Sequence, residues 1–491
     1  MDDDEGLVRI CRATARRDED LPRALIPGGP YNTSCQREAL RRLAEDVATR
    51  GIDAEGGRYR VLREILRREL PRTSARAPGA PLQEAGFELE EAKRIVAGLD
   101  GSHLFVQGPP GSGKTYNGAH LVLHLLGRGA RVGVAAGTHR AIHGLLERIE
   151  ELAPEAGVAF RGLKKGSARD GTAFESKLDH PYVESSEEIA DFLDPACGLL
   201  AGTAWLFARE ELDGTLDYLF IDEAGQISLA DALAMGTAAR NVVLLGDPLQ
   251  IAQVSQAIHP PGAGASVLEH LLGEHATIPP ERGLFIDQTR RMHPDVCGFV
   301  SEVVYEGRLA SWPGCEGQRI DAPAEPTGTG VRWIPVEHAG STRHSPEEAE
   351  AIAARVERLL AGGSHTKASG ETAPLRPEDV MVVAPYNAQV RCLREHLPAG
   401  VAVGTVDRFQ GQEAAVVFFS MATSSGEEIP RNVEFLFSRN RLNVAVSRAR
   451  CLAVLVCSPE LLRIRCRSAE QMRLVNALCR LVEVAEGGRY G

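Results

Sequence analysis

The sequence predicts an α/β protein with two parallel-sheet domains, a helical region in front and one long insertion. Three observations carry this. Short apolar runs alternate with amphipathic helical stretches through both halves of the chain, the rhythm of βαβ units. Only one glycine-rich loop sits between such a run and a helix, at 107–115, reading QGPPGSGKT. Several apolar runs end in acidic or polar residues, which places chemistry at strand C-termini, where open α/β sheets hold their ligands.

At 491 residues the chain is long enough for two to four domains. A formal charge of −12 excludes a globally basic nucleic-acid coat but leaves room for a basic groove. The ten cysteines are scattered and form no C-x-x-C pair, which signals neither zinc nor an iron–sulfur cluster. No export signal or membrane-length apolar run is evident, so the expected location is cytoplasmic.

In order, residues 1–84 are expected to form a helical accessory region, with helices over 34–49 and 59–69. A first parallel-sheet domain is expected from 85–150 and 197–285. It has a helix at 88–99, strands at 104–106, 131–136, 199–206, 218–221 and 241–245, and a helix after the loop. Between its parts, 151–196 is polar (KKGSARD, SSEEIADFLD), the strand rhythm lapses, and an inserted lobe is expected. The second domain is expected over 286–491, with strands at 331–336, 380–384, 401–405, 416–420 and 451–457 and a helix at 346–360.

The loop has Gly108, Gly113, Lys114 and Thr115 in the G-x-x-x-x-G-K-[ST] positions. Such a loop turns backbone N–H groups onto phosphates at a helix N-terminus. Gly108, Pro109, Pro110, Gly111, Ser112, Gly113, Lys114 and Thr115 are therefore the expected ATP cradle. Lys114 would reach the β- and γ-phosphates and the Thr115 hydroxyl would bind Mg²⁺. Asp222 and Glu223 close the strand YLFI. Asp222 is suited to hold Mg²⁺, and Glu223 to orient or deprotonate the attacking water. Gln250 in GDPLQ could contact the γ-phosphate. Arg290, Arg291, Arg441, Arg448 and Arg450 are the candidates for positive charge on the transferring group.

Taken in order, QGPPGSGKT, DEAGQ, GDPLQ, RRMHP, APY (384–386), TVDRFQGQE (405–413) and RLNVAVSRAR resemble the superfamily 1 helicases. The branch is the one containing the nonsense-mediated-decay RNA helicase and the nuclease–helicase of Okazaki-fragment processing. The phrasing is closest to the helicase half of bacterial RecB-like nuclease–helicases. The resemblance covers roughly residues 85–460. It implies two RecA-like domains, 5′–3′ movement on single-stranded nucleic acid, DNA favoured over RNA, and a nuclease as fused half or separate partner. It makes Glu223 the catalytic base, Gln250 the γ-phosphate sensor, and Arg291 and Arg448 the two arginines aimed at that phosphate from the second domain. Gly411 and Glu413 would lie near the nucleotide. Thr138, Thr203 and Thr405 match positions that touch the nucleic-acid backbone.

The sequence departs from that pattern in three places. No glutamine stands in 87–92 to read adenine; Gln83 is the nearest. Arg290 replaces the aromatic that stacks on the base, though a guanidinium stacks on a purine too. His139 replaces the usual asparagine. Trp205 follows a buried strand and is expected in the core, and Trp312, in a loop, is the better candidate to stack on a base. Lys164, Lys165 and Arg161 could meet phosphates or form a solvated face. His120 and His124, like His139 and His143, share an i, i+4 spacing without a third metal ligand. Two other functions fit the pattern less fully: a remodelling ATPase that does not separate strands, and a nucleotide-switched binding module.

Overall fold

The computed structural model describes residues 31–251, 262–409, 411–430 and 432–487. The first thirty residues of the expected accessory region lie outside them, as does Gln410 of the TVDRFQGQE motif. Two compact units emerge. Among the described residues one, the P-loop unit, comprises Ser34–Glu316 and Arg439–Val444; the other comprises Gly317–Ser438 and the chain from Ala445 onward. The expected boundary at 286 thus differs from the one the contacts draw.

The P-loop unit is built on eight described strands: β1 (His103–Gln107), β2 (Val132–Ala135), β3 (Gly162–Lys165), β4 (Val183–Ser186), β5 (Leu199–Gly202), β6 (Leu216–Ile221), β7 (Ala239–Gly246) and β8 (Gly283–Phe285). Their order is β4-β3-β5-β2-β6-β7-β1-β8, and every pairing is parallel. Strands β1 and β2 are buried along their whole length, the mark of a parallel sheet covered on both faces. The residues 151–196 do not form a separate lobe. They supply β3 and β4 and so widen the sheet. The polar letters GLKK and VESS hid these strands, although three of the four residues of β3 are buried.

Helices α1 (Ser34–Arg50) and α2 (Arg60–Arg67) pack within the same unit. Ala39 of α1 meets Ala208 and Ala234, and Tyr59 donates to buried Asp213 at 2.6 Å. Helix α3 (Leu89–Ala97) precedes β1, α4 (Lys114–Leu126) follows the P-loop, and α5 (His139–Ala156) follows β2. Along the free side of β8 runs the segment 82–87. Leu82 N donates to Pro280 O, Phe87 N donates to the Asp287 carboxylate, and Gln83 bonds Phe285 through both ends of its amide. A short parallel pair, β9 (Gln288–Thr289) with β10 (Ala310–Ser311), completes the unit.

The other unit has two sheets. A three-stranded antiparallel sheet joins β11 (Arg319–Asp321), β13 (Ser364–Thr366) and β14 (Thr372–Pro374). A five-stranded parallel sheet has the order β12-β18-β17-β15-β16, from β12 (Gly330–Pro335), β15 (Val380–Ala384), β16 (Ala402–Thr405), β17 (Ala414–Ser420) and β18 (Ala449–Cys457). Each unit therefore has a parallel sheet and an apolar core of its own, as the alternating pattern predicted.

Candidate nucleotide and strand site

The P-loop leaves β1 and enters α4 through Gly113, whose φ of +82° is the left-handed conformation that glycine alone adopts freely. Gly108 is required for space. A Cβ there would lie 2.1 Å from Lys114 Cγ and 2.9 Å from Ser112 Oγ. Lys114 Nζ donates to Gly108 O at 2.8 Å, so the ammonium already lies over the loop. Ser112 Oγ is buried and makes no hydrogen bond among the described residues. An orphaned hydroxyl inside a glycine cradle fits the oxygen-rich phosphates of a nucleotide.

Asp222 follows β6 directly and is buried; its backbone N–H bonds Ala135 O of β2. Burial and the neighbouring Glu223 push its carboxyl well above the ordinary range, opposed by the Glu223 N–H at 2.9 Å and by Lys114. A buried carboxylate this poorly compensated fits a divalent cation. Glu223 has φ +50°, a left-handed conformation uncommon outside glycine. The turn that follows packs tightly, since a Cβ on Gly225 would fall 2.8 Å from Asp247 O.

Asp247, after β7, is a centre that motif reading passed over. Its buried carboxylate accepts from Tyr305 Oη at 2.6 Å, Gln250 Nε2 at 3.0 Å, Leu249 N at 3.1 Å and Gln107 Nε2 at 3.4 Å. Burial raises its carboxyl, while Lys114 and these donors hold it down. Gln250 is thereby fixed by Asp247. Asn443 donates to Tyr305 Oη at 2.9 Å and to Leu249 O at 2.8 Å, so RLNVAVSRAR contributes to this centre through its asparagine, and Asn440, just ahead of that motif, donates to Pro248 O at 3.2 Å. No sequence signal marked Tyr305.

Arg291 belongs to the P-loop unit, not to the other one as the resemblance implied. Thr289 Oγ1 donates to Pro110 O at 2.9 Å and Arg290 N to Gly111 O at 2.9 Å. A Cβ on Gly111 would stand 2.5 Å from Arg291 Cβ. These bonds stitch 289–291 to the loop and leave no periodic trace in the sequence. The Arg290 guanidinium lies 5.3 Å from the Trp312 ring centroid, and Gly314 makes room for that ring, since a Cβ would sit 1.7 Å from it. Trp312, the loop candidate, is exposed. Trp205 is exposed too, at 42%, against the expectation of a core residue; its short helix turns Leu206 and Phe207 inward instead. Gln83 is held at both amide ends by the Phe285 backbone, along the outer side of β8.

Thr138 and Thr203 follow the neighbouring interior strands β2 and β5 of the sheet, beyond their C-terminal ends. Thr138 caps α5, its hydroxyl accepting from Ala141 N at 3.2 Å. Lys164 is not the exposed phosphate contact considered above: it is fully buried. In the other unit, Arg448 is buried and donates to Gln412 O at 3.2 Å, Glu413 lies 3.9 Å from Arg450, Gly411 has φ +79°, and Thr405 ends β16.

Two family models match this chain, over residues 90–270 and 263–460. Both describe an AAA domain. The chain is 25% identical, over 77% of its length, to the DNA replication ATP-dependent helicase/nuclease JHS1 of Arabidopsis thaliana, covering 29% of that protein. It is 24% identical, again over 77% of its length, to the DNA-binding protein SMUBP-2 of Mesocricetus auratus, covering 42% of it. It is 25% identical over 73% of its length to the regulator of nonsense transcripts 1 homolog of Drosophila melanogaster, covering 33% of it. The chain thus spans less than half the length of these relatives.

Proposed function

We propose that this protein is a superfamily 1 helicase that hydrolyses ATP and acts on single-stranded nucleic acid. The observation that carries the reading is convergence. The P-loop, Asp222-Glu223, the Asp247–Gln250 centre and Arg291 come together within one unit, at the ends of β1, β6 and β7 and on the segment stitched to the loop. The two AAA-domain matches, which together run from 90 to 460, and the helicase relatives support the same reading.

Lys114 and the loop amides bind the phosphates, and Arg291 adds charge beside Gly111. Thr115 and Asp222 would hold Mg²⁺, which when bound offsets phosphate charge. Glu223 takes the proton of a water whose oxygen attacks the γ-phosphorus as the bond to the β-bridging oxygen breaks. Gln250 orients that water from its anchorage on Asp247. Arg448 keeps the role the resemblance gives it, charge on the γ-phosphate, and Gly411 and Glu413 theirs near the nucleotide. Arg290, backed by Trp312, stacks on the base without reading its edge. Thr138, Thr203 and Thr405 touch the strand backbone, which gives affinity without sequence readout. DNA as the strand, 5′–3′ movement, kinship with RecB-like nuclease–helicases and a nuclease partner belong to this proposal.

The test is steady-state ATPase activity of the chain alone and with single-stranded DNA or RNA of equal length. Stimulation by DNA is expected. Lys114→Ala and Glu223→Gln should abolish turnover and leave strand binding largely intact; wild-type-like hydrolysis in either would sink the site assignment. Activity indifferent to both strands would favour the nucleotide switch.

A further inference from the structure

Lys164 stands in β3, opposite Ala201 of β5, with no solvent exposure. A buried ammonium is costly unless it is paired, yet the partners its Nζ reaches are neutral: His139 Nδ1 at 2.9 Å and the Thr172 carbonyl. The pocket is built around it. A Cβ on Gly166 would lie 2.6 Å from Nζ and 2.3 Å from Thr172 O.

Lysine only donates, so His139 Nδ1 must be the bare nitrogen. In the neutral ring the proton then sits on Nε2. Burial and the Lys164 charge hold His139 below the ordinary imidazole range, as they do His143 one turn on, where the Thr172 backbone and then Glu147 work the other way. Burial brings Lys164 down to about 8, which leaves it mostly charged at neutral pH. His139 Nε2 is neither enclosed nor hydrogen-bonded among the described residues, and its residue follows the exposed Thr138.

We propose that His139 is a strand-binding residue whose tautomer Lys164 fixes, so that an Nε2–H donor meets a nucleic-acid phosphate beside Thr138. The inference rests on the reading of this C-terminal end of the sheet as the strand site. It assigns Lys164 as a positioning residue: the buried charge acts through the ring, and the surface presents an oriented neutral donor.

The experiment is fluorescence anisotropy of the full chain with a labelled oligothymidylate, without nucleotide, over a range of salt. Wild type is compared with His139→Gln, which keeps a donor near the Nε2 position, and with His139→Phe, which keeps none. The phenylalanine variant should bind about fivefold more weakly and the glutamine variant should stay near wild type. The salt slope should not change, because a neutral donor displaces no counterion; a charged contact would flatten it by about 0.7. In parallel, histidine ¹⁵N spectra should show His139 as the Nε2–H tautomer in wild type and as a mixture in Lys164→Met. Equal binding by the phenylalanine variant, failure of glutamine to rescue, a flattened slope or a wild-type Nδ1–H tautomer would each overturn the assignment. A wild-type chain that binds no strand would instead remove the strand reading itself, and this proposal with it.

Discussion

Tyr305→Phe removes one oxygen atom from the buried Asp247 centre. The lost bond is a 2.6 Å O–H donor to a carboxylate, inside the P-loop unit. Bonds to charged groups are worth about 1.5–3 kcal/mol. Asn443 also loses an acceptor, but keeps Leu249 O at 2.8 Å, which limits its share. A cost of about 2 kcal/mol follows, or a thermal midpoint lower by about 4–8 °C. Asp247 holds Gln250 at 3.0 Å, so the loosened carboxylate also misplaces that amide, and kcat should fall by about tenfold if most of this energy is spent on positioning. Because the Tyr305 bond holds the Asp247 carboxyl down against burial, its loss should move the acid limb of kcat to higher pH. Thermal unfolding and an ATPase pH profile measure all three effects. An unchanged midpoint together with an unchanged kcat would refute the claim that this centre supports Gln250.

Gly111→Ala should destabilise the P-loop unit more than Gly113→Ala in thermal unfolding. Both have positive φ, worth about 1–2 kcal/mol, but only Gly111 would also collide, at 2.5 Å from Arg291 Cβ, whereas the nearest atom to a Gly113 Cβ lies at 3.6 Å. His103, buried in β1, is held down to about 4 by burial and then by Arg72 and Arg282. The unfolded chain therefore takes up a proton that the folded one refuses. Stability should be lost as pH falls from 6.5 towards 4, by about 3 kcal/mol, and His103→Leu should flatten that limb in denaturant titrations. Gly314→Ala should expel the Trp312 ring and raise KM for ATP and GTP alike with kcat retained; a KM that rises for ATP alone would argue that the base edge is read after all.

The strands buried on both faces were legible because they are apolar runs: HLFVQ, LDYLFI and AVVFF announce themselves. β3 and β4 were not, since a strand near the sheet edge tolerates polar letters and the burial of Lys164 depends on a neutral ring supplied by another element. The phosphate loop and Asp222-Glu223 were legible because their chemistry needs fixed residue types at fixed spacing. The bonds of Tyr305 and Gln107 to Asp247 and the stitching of Thr289 to Pro110 were not, because they join residues far apart in sequence by single hydrogen bonds. Trp205 failed for a third reason: hydrophobicity says that a side chain prefers burial, not which way a one-turn helix faces.

Gln83 bears on how this protein behaves at high concentration. As the last strand of its sheet, β8 would offer a bare row of peptide groups to any extended chain. The Gln83 amide answers Phe285 as a neighbouring peptide would, accepting at 2.7 Å and donating at 3.1 Å, while Leu82 and Phe87 anchor the segment on either side. A side chain thus occupies the place of a ninth strand without becoming one. Copies of the molecule are denied this edge as a template for sheet-to-sheet association.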